Sequence, residues 1–100
     1  MSRFVLTPAA REDLAEIFEY ISRDSPSAAR RVRQEFRSAM QSLARMPGMG
    51  HVRRDLASES FRFWSVYSYL VIYKAEARPL EILRVIHGAR DIRSILEEGG

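Results

Sequence analysis

Apolar residues follow two different periods along this chain. In the first half they recur every three or four positions, and in the second half they come in short, dense runs. Ala10, Leu14, Ile17, Phe18 and Ile21 make one helical stripe, and Ala29, Val32, Phe36, Ala39, Met40 and Leu43 make a second. Thr7-Pro8 opens the first helix: a threonine hydroxyl caps it, and a proline at the first helical position loses no hydrogen bond. Ser25-Pro26 repeats the signal for the second helix. Glu12 and Asp13 are expected early in the first helix, near its positive end. The Arg23–Pro26 link is short, so the helices must be antiparallel neighbours. Met46-Pro47-Gly48-Met49-Gly50 ends the second helix, because proline cannot continue it and glycine tolerates the turn.

Arg3 to Leu6 reads as a short strand. Phe61 to Val66, Tyr69 to Ala75 and Leu80 to His87 read as three more, joined by turns at Tyr67-Ser68 and Glu76–Pro79. His51 to Ser60 is a polar connection. Leu70-Val71-Ile72, Ile82-Leu83 and Val85-Ile86 do not alternate, as expected of strands covered on both faces. The helices can cover one face. A partner, or the segment Ile92 to Leu96, must cover the other. The fold class is therefore α+β, with an N-terminal strand and an antiparallel two-helix hairpin packed on a small antiparallel β-sheet. Residues 1–100 form a single domain.

Composition narrows the function classes. With no cysteine there is no disulfide framework and no thiolate metal site. No apolar run reaches the roughly 18 residues of a membrane span, and Met1–Pro8 is too short and polar for a signal peptide. The expectation is a cytoplasmic protein without membrane contact. The net charge is +3, and 15 of the 16 basic residues are arginines. That bias fits either a GC-rich genome or a functional demand for bidentate donors toward carboxylate or phosphate. An anionic partner is expected.

Six features in order, covering nearly the whole chain, resemble the ParE branch of the RelE/ParE toxin superfamily. They are the strand–helix–helix–three-strand order, the Thr7-Pro8 opening, the Pro47-Gly48-Met49-Gly50 stop, Arg62-Phe63-Trp64, Tyr69-Leu70-Val71-Ile72-Tyr73, and Ile86-His87-Gly88-Ala89-Arg90-Asp91. The resemblance implies the toxin of a type II toxin–antitoxin system, of the kind tied to plasmid stabilisation. It would inhibit DNA gyrase by binding and be neutralised by a cognate ParD-like antitoxin. Operator DNA would be met indirectly, through that antitoxin.

The sister RelE branch cleaves messenger RNA with a cluster of cations around one phosphate. Its middle strand reads arginine–aliphatic–x–tyrosine. The matching stretch here is Leu70-Val71-Ile72-Tyr73, with leucine for arginine. The lysine positions of the preceding strand fall on or near Phe61 and Phe63, and a C-terminal tyrosine falls at Leu96. Only Arg90 keeps its match. Catalytic residues are therefore expected to be none, and the chain not to be an enzyme. The alternatives are a RelE-type messenger RNA endoribonuclease, or a non-toxic complex-forming, co-repressing partner.

Candidate contact residues follow. Arg84, His87, Arg90, Ile92 and Leu96 lie on the last strand and its exit and are the expected target-binding set. Arg84 interrupts an apolar strand, so it either pairs internally with Glu81 or Asp91 or meets a partner. His87 suggests catalysis by its pKa range, but no triad surrounds it; the alternative is a strand-end histidine bonded to backbone or Asp91. Leu14, Phe18, Val32, Phe36 and Met40, on the helical faces, are the expected antitoxin-binding set. Arg30, Arg33 and Arg37 form a stripe that could track phosphates or simply face solvent. Tyr67, Tyr69, Tyr73, Phe63 and Trp64 could stack bases but suit a core and an interface better. His51 and His87 have no further ligands in sequence, so no metal and no cofactor are expected.

Overall fold

The computed structural model describes residues 3–58, 60–88 and 90–99. Thr7 caps α1 (Pro8–Asp24) by accepting the Ala10 N–H at 3.1 Å. Ser25 alone links α1 to α2 (Pro26–Arg45). Its backbone N–H bonds the Ile21 carbonyl at 3.0 Å, and its hydroxyl accepts the Ala28 N–H at 3.2 Å. One residue thus ends one helix and starts the next, which forces the antiparallel hairpin. The first turn of α1 holds no acid. Glu12 and Asp13 sit one turn further in, and Asp13 is turned toward the sheet instead of the helix end. A 3₁₀ turn over Pro47–Met49 closes α2.

The sheet has four strands in the order β1-β4-β3-β2, where β1 is Phe4–Leu6, β2 Phe61–Val66, β3 Tyr69–Lys74 and β4 Leu80–His87. β2, β3 and β4 are antiparallel, as the sequence indicates. The N-terminal strand adds a fourth, parallel to β4, with Leu6 opposite Ile82. β4 carries a bulge: Tyr73 pairs with Ile82 and Ile72 with Arg84, leaving Leu83 as the extra residue. The bulge is stitched to the start of α1. Thr7 donates its N–H to the Ile82 carbonyl at 3.0 Å and its hydroxyl to the Leu83 carbonyl at 2.7 Å.

One face of the sheet packs against the helical hairpin, through Phe36, Met40, Leu43, Val71, Tyr73, Ile82 and Val85. The other face is covered by α3 (Ile92–Gly99), where Ile92 and Ile95 bury against Phe63, Ile72 and Ile86. The C-terminal segment therefore covers the second face, leaving Phe61, Leu83 and Leu96 partly buried at its margin. Asp91 caps α3, accepting the Ser94 N–H at 3.3 Å and its hydroxyl at 2.8 Å; these bonds hold the Asp91 carboxyl below its ordinary pKa. The outer edge of β2 is shielded where His51 and Phe63 exchange two backbone hydrogen bonds of 2.8 Å.

Candidate functional site

Two places on this frame concentrate polar side chains with defined partners. The first is the stop after α2. Tyr73 is 0 % exposed. Its phenol donates to the Pro47 carbonyl at 2.6 Å and accepts the Gly50 N–H at 2.9 Å. Arg62 donates to the Gly50 carbonyl at 2.8 Å. A Cβ on Gly50 would stand 2.4 Å from the Tyr73 oxygen, so only glycine fits there. Burial raises the Tyr73 phenol above its ordinary pKa, which keeps the proton that it donates. An open, polar depression of about 650 Å³ beside this stop is lined by Arg53, Arg62 and Glu76. Arg53 is engaged by Asp55, through bonds of 3.1 and 2.9 Å.

The second place is the rim where β4 ends. The register sets Tyr69 opposite His87, and the His87 ring stands edge-on to Tyr69 at 5.6 Å. Tyr69 meets Phe36 at 6.0 Å, Phe36 meets Phe18 at 6.1 Å, and the Arg33 guanidinium lies 5.0 Å over Phe18. A chain of ring contacts thus runs from the rim through the hairpin core to the outside of α2. Gly88 donates its N–H to the Ser68 carbonyl at 2.9 Å, drawing the β2–β3 turn to the rim. A groove of about 370 Å³ opens between α1 and this strand end, lined by Glu16, Tyr20, Tyr69, His87 and Arg90. Tyr20 is 66 % exposed, and His87 and Arg90 are exposed. Ala89, part of the strand-end motif, lies outside the described residues.

Not every expected contact residue is at the surface. Arg84 is held by Asp13, with Nε to Oδ2 at 2.8 Å and Nη2 to Oδ1 at 2.9 Å, and the same carboxylate accepts the Val85 N–H at 2.9 Å. The internal reading of Arg84 holds, but its partner is Asp13, not Glu81 or Asp91. The hydrogen bond to Asp13 raises the Arg84 pKa, against some desolvation. Ile92 is buried beneath α3, and Leu96 is half-buried beside it. Arg84 and Ile92 are thus engaged within the fold, Leu96 is partly open at two grooves, and His87 and Arg90 are exposed. In the antitoxin set, Leu14, Val32, Phe36 and Met40 are buried in the hairpin core. They face the sheet, because an amphipathic helix turns its apolar stripe inward. Phe18 alone of the set borders an outer groove, with Ala15, Ser22, Ala29, Arg30 and Arg33. Phe63 and Tyr73 are core residues. His51 stacks on Trp64 at 6.2 Å. Among the described residues no three His, Asp or Glu side chains gather as metal ligands, and no helix is long and apolar enough to cross a membrane.

One residue of the site, Tyr20, lies outside the sequence reading, and the backbone conformation of Tyr67 lies outside it too. Tyr20 follows the apolar stripe of α1 but sits off it, and an aromatic on the polar face was the available signal. Tyr67, at the β2–β3 tip, adopts φ 55°, a conformation that side chains rarely take. Nothing local announces it.

A two-helix hairpin on a four-stranded sheet, with the first strand parallel to the last, places the chain in the RelE/ParE-like fold class. Among solved structures it matches a chain of the "Chromosomal ParDE TA system from P. aeruginosa" with a TM-score of 0.70 and 19 % identity, over 87 % of this chain and 96 % of that one. The family described as ParE toxin of type II toxin-antitoxin system, parDE, matches residues 4–92, and the chain belongs to that family. No curated protein matches the sequence.

Proposed function

We propose that this ParE-family toxin acts by binding and inhibiting DNA gyrase, without chemistry of its own, in the cytoplasm. The observation that carries the reading is the fate of the nuclease positions. Phe61, Phe63, Leu70 and Leu96, which stand where a RelE-type nuclease has cations and a tyrosine, pack together around Ile72 and Ile86 under α3. Phosphoryl transfer needs charge around one phosphorus, and this cluster is apolar. The Tyr73 phenol is committed to Pro47 and Gly50. The presented groups are those of a binding rim: Tyr20, His87 and Arg90 around an open groove, an aromatic and arginine set of the type that anchors interfaces.

Neutralisation by a cognate ParD-like antitoxin belongs to the same proposal. The outer groove at Phe18 suits a helix of that partner, and the partner would carry any operator contact. Purified chain added to a gyrase supercoiling reaction should block supercoiling, and Arg90→Ala should weaken the block while leaving the melting temperature within about 2 °C, as for a surface change. Site-specific messenger cleavage that Arg90→Ala abolishes would overturn the reading in favour of the endoribonuclease.

A further inference from the structure

Electrostatically the two helices of the hairpin are opposites. α1 carries five acids against two arginines, and α2 carries five arginines against one glutamate. That glutamate, Glu35, lies against the Tyr67 phenol at the sheet's hairpin tip, where it raises the phenol's pKa. Arg30 and Arg37 stand exposed on α2, and among the described residues neither makes a hydrogen bond, ion pair or ring contact. Arg45 extends the line, touching only the Ser42 hydroxyl at 3.3 Å. Gln34, Ser38 and Gln41 lie between these cations and are exposed. At about 1.5 Å per residue the line from Arg30 to Arg45 runs about 22 Å. Arg33 is not part of it, being folded over Phe18.

The make-up of this surface discriminates between kinds of partner. Arginine anchors protein interfaces together with large aromatic or apolar side chains, and α2 exposes the arginines without any such side chain beside them within Pro26–Arg45. Single-stranded nucleic acid is held largely by stacking on aromatic rings; the only ring of α2, Phe36, is buried. A duplex backbone needs neither. Cations and neutral donors spaced along a line suffice, and they position without reading bases.

We propose that the outer face of α2, through Arg30, Arg37 and Arg45, binds the phosphate backbone of double-stranded DNA without sequence preference. The duplex lies along α2 and away from α1, whose acids repel phosphate. This surface is separate from the rim and meets the Phe18 groove only at Arg30, so a toxin seated on DNA keeps Tyr20, His87 and Arg90 available to a protein target.

Fluorescence anisotropy with the full chain and a labelled duplex of about 20 base pairs tests the proposal, and because no topoisomerase is present its failure is distinct from failure of the gyrase reading. Binding should be micromolar and equal for unrelated sequences. Three phosphate contacts give a log–log salt slope of about −2.7, so raising salt from about 50 to about 200 mM should weaken binding about 40-fold. Arg30→Gln, Arg37→Gln and Arg45→Gln together should flatten that slope, each alone lowering it by about one unit. Arg37→Lys should keep the slope, and Arg53→Gln with Arg78→Gln should leave binding unchanged. Absence of duplex binding at low salt would overturn the proposal, as would a triple variant that binds like the parent. Tighter binding to single-stranded DNA or to an RNA duplex would overturn it too.

Discussion

The two faces of the sheet are covered by the same kinds of residue, yet they are not held alike. On one face lie helices of 17 and 20 residues, each capped by a hydroxyl and joined through Ser25. On the other lies a helix of eight residues that meets the sheet through Ile92, Ile95 and Leu96. Isolated helices shorter than about 12–15 residues are marginal in water, so α3 exists only because the sheet receives it. The hairpin is held from within by its caps and interhelical packing as well as by the sheet. The family match also ends at Ile92, the first residue of α3. Equal apolarity therefore does not mean equal resistance to opening, since local stability varies with how many independent contacts hold a segment.

The largest expected effect tests the stronger face. Phe36 is 1 % exposed and meets rings on both sides. Phe36→Ala should lower unfolding free energy by about 3–5 kcal/mol, read from urea denaturation, which is a large share of the stability of a domain this size. Next comes the link between hairpin and sheet. Asp13→Ala leaves the Arg84 guanidinium and the Val85 N–H without their acceptor and should cost about 2–3 kcal/mol. A double-mutant cycle with Arg84→Ala should show strong coupling, and additive losses would remove this link from the comparison.

On the weaker face, Ile95→Ala should cost about 2 kcal/mol, the low end for a buried isoleucine, because a short terminal helix can settle. Hydrogen exchange should show α3 amides opening well before those of α2. If Ile95→Ala costs as much as Phe36→Ala, and α3 exchanges as slowly as α2, the two faces are equivalent and the comparison fails. The smallest effect is Tyr73→Phe, about 1–2 kcal/mol, which strips the Gly50 N–H of its acceptor. Because burial raises the Tyr73 pKa, folding favours the neutral phenol. Its contribution is whole below the ordinary tyrosine pKa of about 10 and is lost as pH rises through the raised value. Alkaline titration of stability should lose that limb in Tyr73→Phe.

Helix starts and stops were legible because they are local. Thr7-Pro8, Ser25-Pro26 and the Pro47 stop act through a few neighbouring atoms, and each is found where the sequence puts it. The strands were legible from their apolar runs. Pairings across the chain were not. Nothing within Phe4–Leu6 says that it lies parallel to β4, and nothing near Arg84 says that its partner is Asp13, 71 positions away. The site was read in part for the same reason. His87 and Arg90 were placed at the rim by their position after the last strand. Leu14, Val32, Phe36 and Met40 were assigned to a partner because an apolar stripe alone does not say whether its cover is the chain itself or another molecule. The role of Tyr20 is not legible locally, because its neighbour in the groove, the end of β4, is remote in sequence.

The bulge at Leu83 also governs which gaps the gene can carry. One extra residue on β4 separates the Ile82–Tyr73 pair from the Arg84–Ile72 pair. Deleting the Leu83 codon would leave the other pairs in place, with Arg84 still opposite Ile72 and Val85 opposite Val71, whereas deleting Val85, in the regular part of the strand, would move Ile86 to a position that faces the helices. The Glu76–Pro79 turn, by contrast, can absorb an added residue at little entropic cost. In a library of single-codon insertions and deletions, β4 should therefore tolerate the loss of a residue at its bulge and nowhere else along its length.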